Sequence, residues 1–184
     1  FYKAYHDHPE LLPDEDTERE MYYETKSMLH KQGFERYEIS NYAKPGYECR
    51  HNIGYWTGIE YLGLGLGASS YIQGFRFHNE SDLSCYDKIR MNGTDADEKL
   101  HQEITRLSDK EKMEEFMFLG LRMIKGVSGS EFFQRFGQNM WNVYGNVLNK
   151  LKDEGLIIVE MPDVRLSDYG IDVSNYVLSE FLLD

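Results

Sequence analysis

The 184-residue chain predicts an α+β / α/β fold, with a mixed first half and a mostly helical second half that carries one small hairpin. Three observations predict it. The first half reads helix, strand, loop, strand, the order of closing βα units in an α/β sheet. The second half holds two Ser-x-x-Glu boxes, "SDKE" at Ser108 and "SGSE" at Ser128, each able to satisfy the free backbone donors of a helix start. Two short apolar runs, "LIIVE" and "VRLS", flank Pro162 and Asp163 and predict a hairpin.

In order along the chain, the acidic start Asp14–Asp16 opens a helix through about Gln32, with Met21, Met28 and Leu29 on one side and Gly33 as its stop. "FERYEIS", Phe34 to Ser40, predicts a short strand, and "NYAKPGYECRHN" predicts a loop marked by Pro45 and Gly46. In "YLGLGLGASSYI", Leu62, Leu64 and Leu66 alternate with Gly63, Gly65 and Gly67. On a strand that pattern gives one leucine face and one face of bare backbone. Bare backbone suits close approach of a ligand or of another strand. "YIQGFRFHN" pairs with it or continues it; residues 82–91 predict a short helix and "MNGTDADEK" a turn or linker.

The Ser108 box opens a helix through about Ile124, the Ser128 box opens "EFFQRFG", and a third helix spans about 139–154, ending at Gly155. A last helix starts near Asp168 and carries Ile171, Val173, Val177, Leu178 and Phe181. Three helices, a hairpin and a closing helix resemble a winged-helix module. A DNA-reading role conflicts with the charge: from Ser108 onward there are 13 acidic and 8 basic residues, a net of −5. The candidate recognition helix offers only Lys150 and Lys152, too little to neutralise several phosphates. A structural or docking module fits better.

The whole chain has a net charge of −12, which argues against nucleic acid and against a polybasic hold on anionic membrane. No apolar run approaches the roughly 20 residues that span a bilayer. Cys49 and Cys85 are the only cysteines, too few for a disulfide framework, and a reduced cytoplasmic setting is expected. Phe1 enters directly into "FYKAYHDHPE", which reads as a segment beginning inside a larger protein.

Nucleophile elbows, dinucleotide fingerprints and phosphate-binding loops are missing from the sequence. Two thiolates cannot hold an iron–sulfur cluster, which takes about three or four. Cys49, His51, His78 and Cys85 are chemically suited to zinc, although the Cys49-x-His51 spacing is shorter than the common finger spacing. "HNIGYW", His51–Trp56, stands apart. Histidine is a common axial ligand of haem iron, and a flat porphyrin stacks on Tyr and Trp. The competing reading is a loop whose aromatics cap a core while His51 and Asn52 satisfy backbone groups.

Three stretches in order are similar to one family: "LPDEDTEREMY" (Leu12–Tyr22), "GFERYEISNYAKPGYECRHNIGYW" (Gly33–Trp56) and "YLGLGLGAS" (Tyr61–Ser69). They resemble the oxygen-independent coproporphyrinogen III oxidases of the radical S-adenosylmethionine (SAM) proteins. The resemblance covers the chain and is strongest over residues 12–70. Within the family, His-Asn-x-x-Tyr-Trp marks the HemW-type branch of haem chaperones, which hold haem and pass it to an acceptor protein; true oxidases lack it.

The resemblance implies the last βα units of a partial (β/α) radical-SAM barrel over residues 1–92, a linker over 93–107, and a mostly helical, winged-helix-like C-terminal domain over 108–184. It implies haem binding by His51, Asn52, Tyr55 and Trp56, with His51 as the iron ligand. It also places Glu38, Ser40, Gly63, Gly65, Gly67 and Ala68 at the SAM or porphyrin cavity. The family's Cys-x-x-x-Cys-x-x-Cys cluster motif does not occur in the sequence. The 4Fe–4S cluster and SAM are therefore expected only in a full-length parent, and this segment alone is expected to be inactive. An alternative is a true oxidase, in which a SAM-derived radical starts oxidative decarboxylation of two propionates. Another is a docking domain with no ligand.

Overall fold

The computed structural model describes residues 5–89 and 99–183. The turn expected at "MNGTDADEK" falls almost wholly outside these residues, as do the end of the 82–91 helix and the start of the 93–107 linker. The chain forms two compact units, Phe1–Cys49 and Arg50–Asp184.

In the first unit, α1 spans Glu15–Lys31. Asp14 caps it by accepting the Thr17 amide at 2.8 Å, and Gly33, at φ 78°, follows its end. The Met21 and Met28 side chains are exposed instead of packed. What ties α1 down is polar: the Tyr22 hydroxyl donates to the Ile39 carbonyl at 3.0 Å, and the Arg36 guanidinium lies 4.6 Å from the Tyr22 ring centroid. The strand expected over Phe34–Ser40 shrinks to β1, Glu35–Arg36, paired antiparallel with β2, Tyr42–Ala43. The rest of that run is a turn, in which the Tyr37 amide reaches the Asn41 carbonyl at 3.2 Å.

The second unit opens with α2, Arg50–Trp56. A three-stranded antiparallel sheet follows, with β3 at Ser69–Ile72, β4 at Phe75–Asn79 and β5 at His101–Arg106, in the order β3-β4-β5. Gln73 (φ 51°) and Gly74 (φ 77°) make the tight β3–β4 turn, since a two-residue hairpin loop of this hand needs positive φ at both positions. Residues 101–106, expected within a linker, are thus a sheet strand. Between β4 and β5, α3 covers Leu83–Tyr86 behind an Asp82 cap. Every strand pairing among the described residues is antiparallel and no barrel closes; the fold is α+β.

The helical module contains α4 (Asp109–Gly120), α5 (Gly129–Phe136), α6 (Met140–Asp153), the hairpin β6 (Ile157–Glu160) and β7 (Asp163–Leu166), then α7 (Asp168–Asp172) and α8 (Ser174–Ser179). Val127 bridges Val164 antiparallel, adding a third short extended piece to the wing. The core lies here: Met117, Phe132, Leu148, Leu151, Val177 and Phe181 are fully sealed from solvent. The single closing helix expected from Asp168 is split at Val173 into α7 and α8.

The helix expected to reach Ile124 stops at Gly120 because Val127 folds back onto its end, where a Cβ at Gly120 would collide with the Val127 side chain. The two caps differ. Ser108 forms the full capping box with Glu111, whereas Ser128 makes no side-chain cap bond. There the Gly129 amide donates instead to Asp163 on the wing at 3.2 Å, and Glu131 pairs with Arg135 one turn on. Ser108→Ala should therefore cost about 1 kcal/mol in a urea melt, with Ser128→Ala costing less. The Glu111 carboxyl is held below its usual 4.5 by hydrogen bonds from Ser108. Its folded value is depressed, so the cap's contribution is present above the unfolded pKa and is lost as the pH falls through the folded one.

Candidate functional site

"HNIGYW" is helical, not a turn, and that changes which side chains meet. Residues four apart share a helix face, so His51 lies with Tyr55 and Asn52 with Trp56. His51 is exposed, its ring 4.7 Å from Tyr55 in an edge contact, and it makes no hydrogen bond or ion pair among the described residues. Tyr55 in turn meets the Tyr61 ring at 4.6 Å. The helix ends at Trp56, Gly58 follows at φ 67°, and both terminal nitrogens of Arg135 on α5 donate to the Thr57 carbonyl at 3.2 Å. A cation on the last carbonyls of a helix complements its dipole. Trp56 is half-buried under the Arg122 guanidinium, 4.3 Å from its ring centroid, and its buried Nε1–H has no acceptor.

Tyr55 and Trp56 form one wall of a cleft of about 550 Å³. That lies within the roughly 300–1,000 Å³ of small-molecule sites. Tyr61, Tyr71, Phe116, Leu119, Met123 and Phe136 also line it. Polar groups converge as well: Arg76 on β4 pairs with Glu115 on α4 at 3.0 Å. Burial pushes the Glu115 carboxyl above its ordinary value despite Arg76, and burial likewise raises the Tyr61 hydroxyl. The cleft can hold a flat aromatic molecule that carries acid groups.

The glycine-rich stretch is not a strand. Residues 62–68 form a loop, with positive φ at Gly65 (96°) and Gly67 (64°), and these two residues break the alternation. Leu62, Leu64 and Leu66 are exposed. Gly63 is bare because its own chain returns over it, where a Cβ would collide with the Ser69 carbonyl. Buried Ser70 and Asn79 clamp the loop: Ser70 Oγ accepts the Gly63 amide at 3.0 Å, and Asn79 Nδ2 donates to the Gly65 carbonyl at 2.8 Å. Gly63, Gly65, Gly67 and Ala68 are not among the residues lining the cleft. Glu38 and Ser40 belong to the first unit, Glu38 fully buried with Oε2 unpartnered and Ser40 exposed. Cys49, His51, His78 and Cys85 do not form a zinc site, since no group of three or more His, Cys, Asp or Glu among the described residues is placed to hold a metal ion.

Residues 107–173 match the HemN C-terminal domain. The chain is 35% identical over 173 residues to the heme chaperone HemW of Lactococcus lactis subsp. lactis, a match covering 94% of this chain and 44% of that protein. It is 36% identical over 172 residues to the heme chaperone HemW of Bacillus subtilis, covering 93% and 44%. Over most of its length the chain is similar to the HemW heme chaperones, and its C-terminal part matches the HemN C-terminal domain. It spans less than half the length of these two relatives. Its fold matches the solved structure of coproporphyrinogen III oxidase (HemN) from Escherichia coli, a radical SAM enzyme, with a TM-score of 0.68 at 15% identity, over 93% of this chain and 42% of that one.

Of the groups that the resemblance implies, the residues present suit one and not another. Cys49 and Cys85 are both exposed, free and too few for a 4Fe–4S cluster. An imidazole with no hydrogen bond among the described residues, beside an aromatic cleft whose lining holds the Trp56 N–H, unpartnered among those residues, suits a tetrapyrrole. Sequence reasoning missed Arg76, Lys112, Glu115, Arg122 and Arg135. Their contacts join residues as far as 78 apart in the chain, and no local spacing signals them.

Proposed function

We propose that this chain carries the haem-holding surface of a HemW-type haem chaperone, with His51 as axial ligand and Asn52, Tyr55 and Trp56 shaping the surface beside it. Haem is cargo here, passed on to an acceptor protein. The observation that carries the reading is the exposed His51 imidazole, without a hydrogen bond or ion pair among the described residues and set one helical turn before Tyr55 at the cleft. Neutral imidazole is a good iron ligand, and the tyrosines offer the ring faces a macrocycle stacks on. The curated names of the relatives, heme chaperone HemW over most of this chain, support the same function.

On this reading residues 1–92 complete a radical-SAM barrel, 93–107 connect, and 108–184 form the C-terminal domain. Glu38, Ser40, Gly63, Gly65, Gly67 and Ala68 then face a SAM or porphyrin cavity of the whole protein, whose cluster and SAM are held by residues outside this chain. We place the protein in the cytoplasm; among the described residues no helix is long and apolar enough to cross a membrane. Titration of haemin into the chain should give a red-shifted Soret band that saturates at about one equivalent. A titration indistinguishable from haemin in buffer would sink the proposal.

A further inference from the structure

We propose that Arg76 and Lys112 form a carboxylate-recognition pair in the cleft and take a propionate of the bound tetrapyrrole, an inference that rests on the haem reading above. Ring contacts lead there from the ligand: His51 meets Tyr55, and Tyr55 meets Tyr61. Tyr61 and Tyr71 share the cleft wall with Arg76, whose guanidinium lies 5.6 Å from the Tyr71 ring centroid. Lys112 stands three residues before Glu115 on α4, on the same helix face as Arg76's partner. Its stem passes Gly74 at the turn leading into β4, with Cε 3.5 Å from where a Cβ at Gly74 would sit.

The charges favour an acid ligand. Arg76, Lys112, Lys125 and Arg135 line the cleft against Glu115 and Glu131, an excess of cations in a chain of net charge −12. Arg135 already spends three of its five donors on Glu131 and the Thr57 carbonyl. Arg76 uses only Nη2 on Glu115, which fixes the guanidinium and leaves other donors for a second carboxylate. Lys112 is paired with Asp109 at 3.1 Å, and that carboxylate is 88% exposed. A solvated pair of this kind is worth little and exchanges readily for a ligand carboxylate in a cleft with aromatic walls.

The test titrates haemin and haemin dimethyl ester, whose propionates are blocked, into the full chain, Lys112→Met, Arg76→Gln and the charge control Lys152→Met. Lys112→Met and Arg76→Gln should each weaken haemin by about tenfold, the scale of one charged hydrogen bond. Binding of the dimethyl ester should be weaker than haemin in the wild type and unchanged by Lys112→Met, and Lys152→Met should bind haemin as the wild type does. Arg76→Gln leaves half-buried Glu115 unpaired, so its melt is recorded alongside; Lys112→Met removes only a solvated pair and decides the matter alone. Haemin binding as tightly to Lys112→Met as to the wild type, or ester and acid binding alike, overturns the inference and leaves the haem reading standing. A wild type that binds no haemin overturns both.

Discussion

Phe132→Ala should destabilise the second unit by about 3–5 kcal/mol, the cost of truncating a sealed aromatic. Phe132 has no solvent exposure, and its ring meets Phe116 at 5.4 Å, Phe136 at 4.8 Å and Tyr144 at 6.1 Å. Those neighbours belong to three different helices, α4, α5 and α6, so no single side chain can collapse into the void. Phe116 and Phe136 also line the cleft. The substitution should thus loosen the site together with the fold, and haemin affinity should fall in proportion to the stability lost in urea. Phe133→Ala, one position along and exposed, is the matched control and should stay within about 0.5 kcal/mol of the wild type.

Gly126→Ala should be the most damaging change that adds a single carbon, at roughly 2–4 kcal/mol, because left-handed backbone strain and a backbone clash add. Gly126 sits at φ 73°, and a Cβ there would strike the Val164 carbonyl and approach Arg165 Cα at 2.7 Å. Neither is the free end of a flexible side chain. The Val127–Val164 bridge, with its amide bonds of 2.8 and 3.0 Å, is the contact that must give way. Gly145→Ala, on α6 with open space around it, should be neutral or slightly stabilising, since alanine is the better helix former. Thermal melts of the pair separate clash from generic glycine replacement.

What was legible in the sequence was what neighbours in the chain decide. The Ser108 box, the Asn139-capped helix and the hairpin around Pro162 depend on residues within a few positions, and each is where local chemistry puts it. The glycine-leucine alternation misled because period two is necessary for a strand and not sufficient: no partner strand pairs with 62–68 among the described residues, and Gly65 and Gly67 use backbone angles no strand has. Ser128 misled because a wing carboxylate, Asp163, 34 residues beyond Gly129, took the place of its cap. "HNIGYW" displayed its residue types but hid its helix, since Gly54 weakens the helical pattern. The cleft that Tyr55 and Trp56 help to line was invisible, since much of the rest of its lining comes from α4 and α5, more than 50 residues later.

Haem holding as proposed requires the His51 imidazole to reach haem iron. The direct measurement is the electron paramagnetic resonance spectrum of the ferric haem complex of the chain, recorded for wild type and His51→Ala, with and without added imidazole. The wild type should show a histidine-ligated signal that His51→Ala loses and that free imidazole restores in the variant. An identical spectrum and an identical haemin affinity in His51→Ala would contradict the assignment.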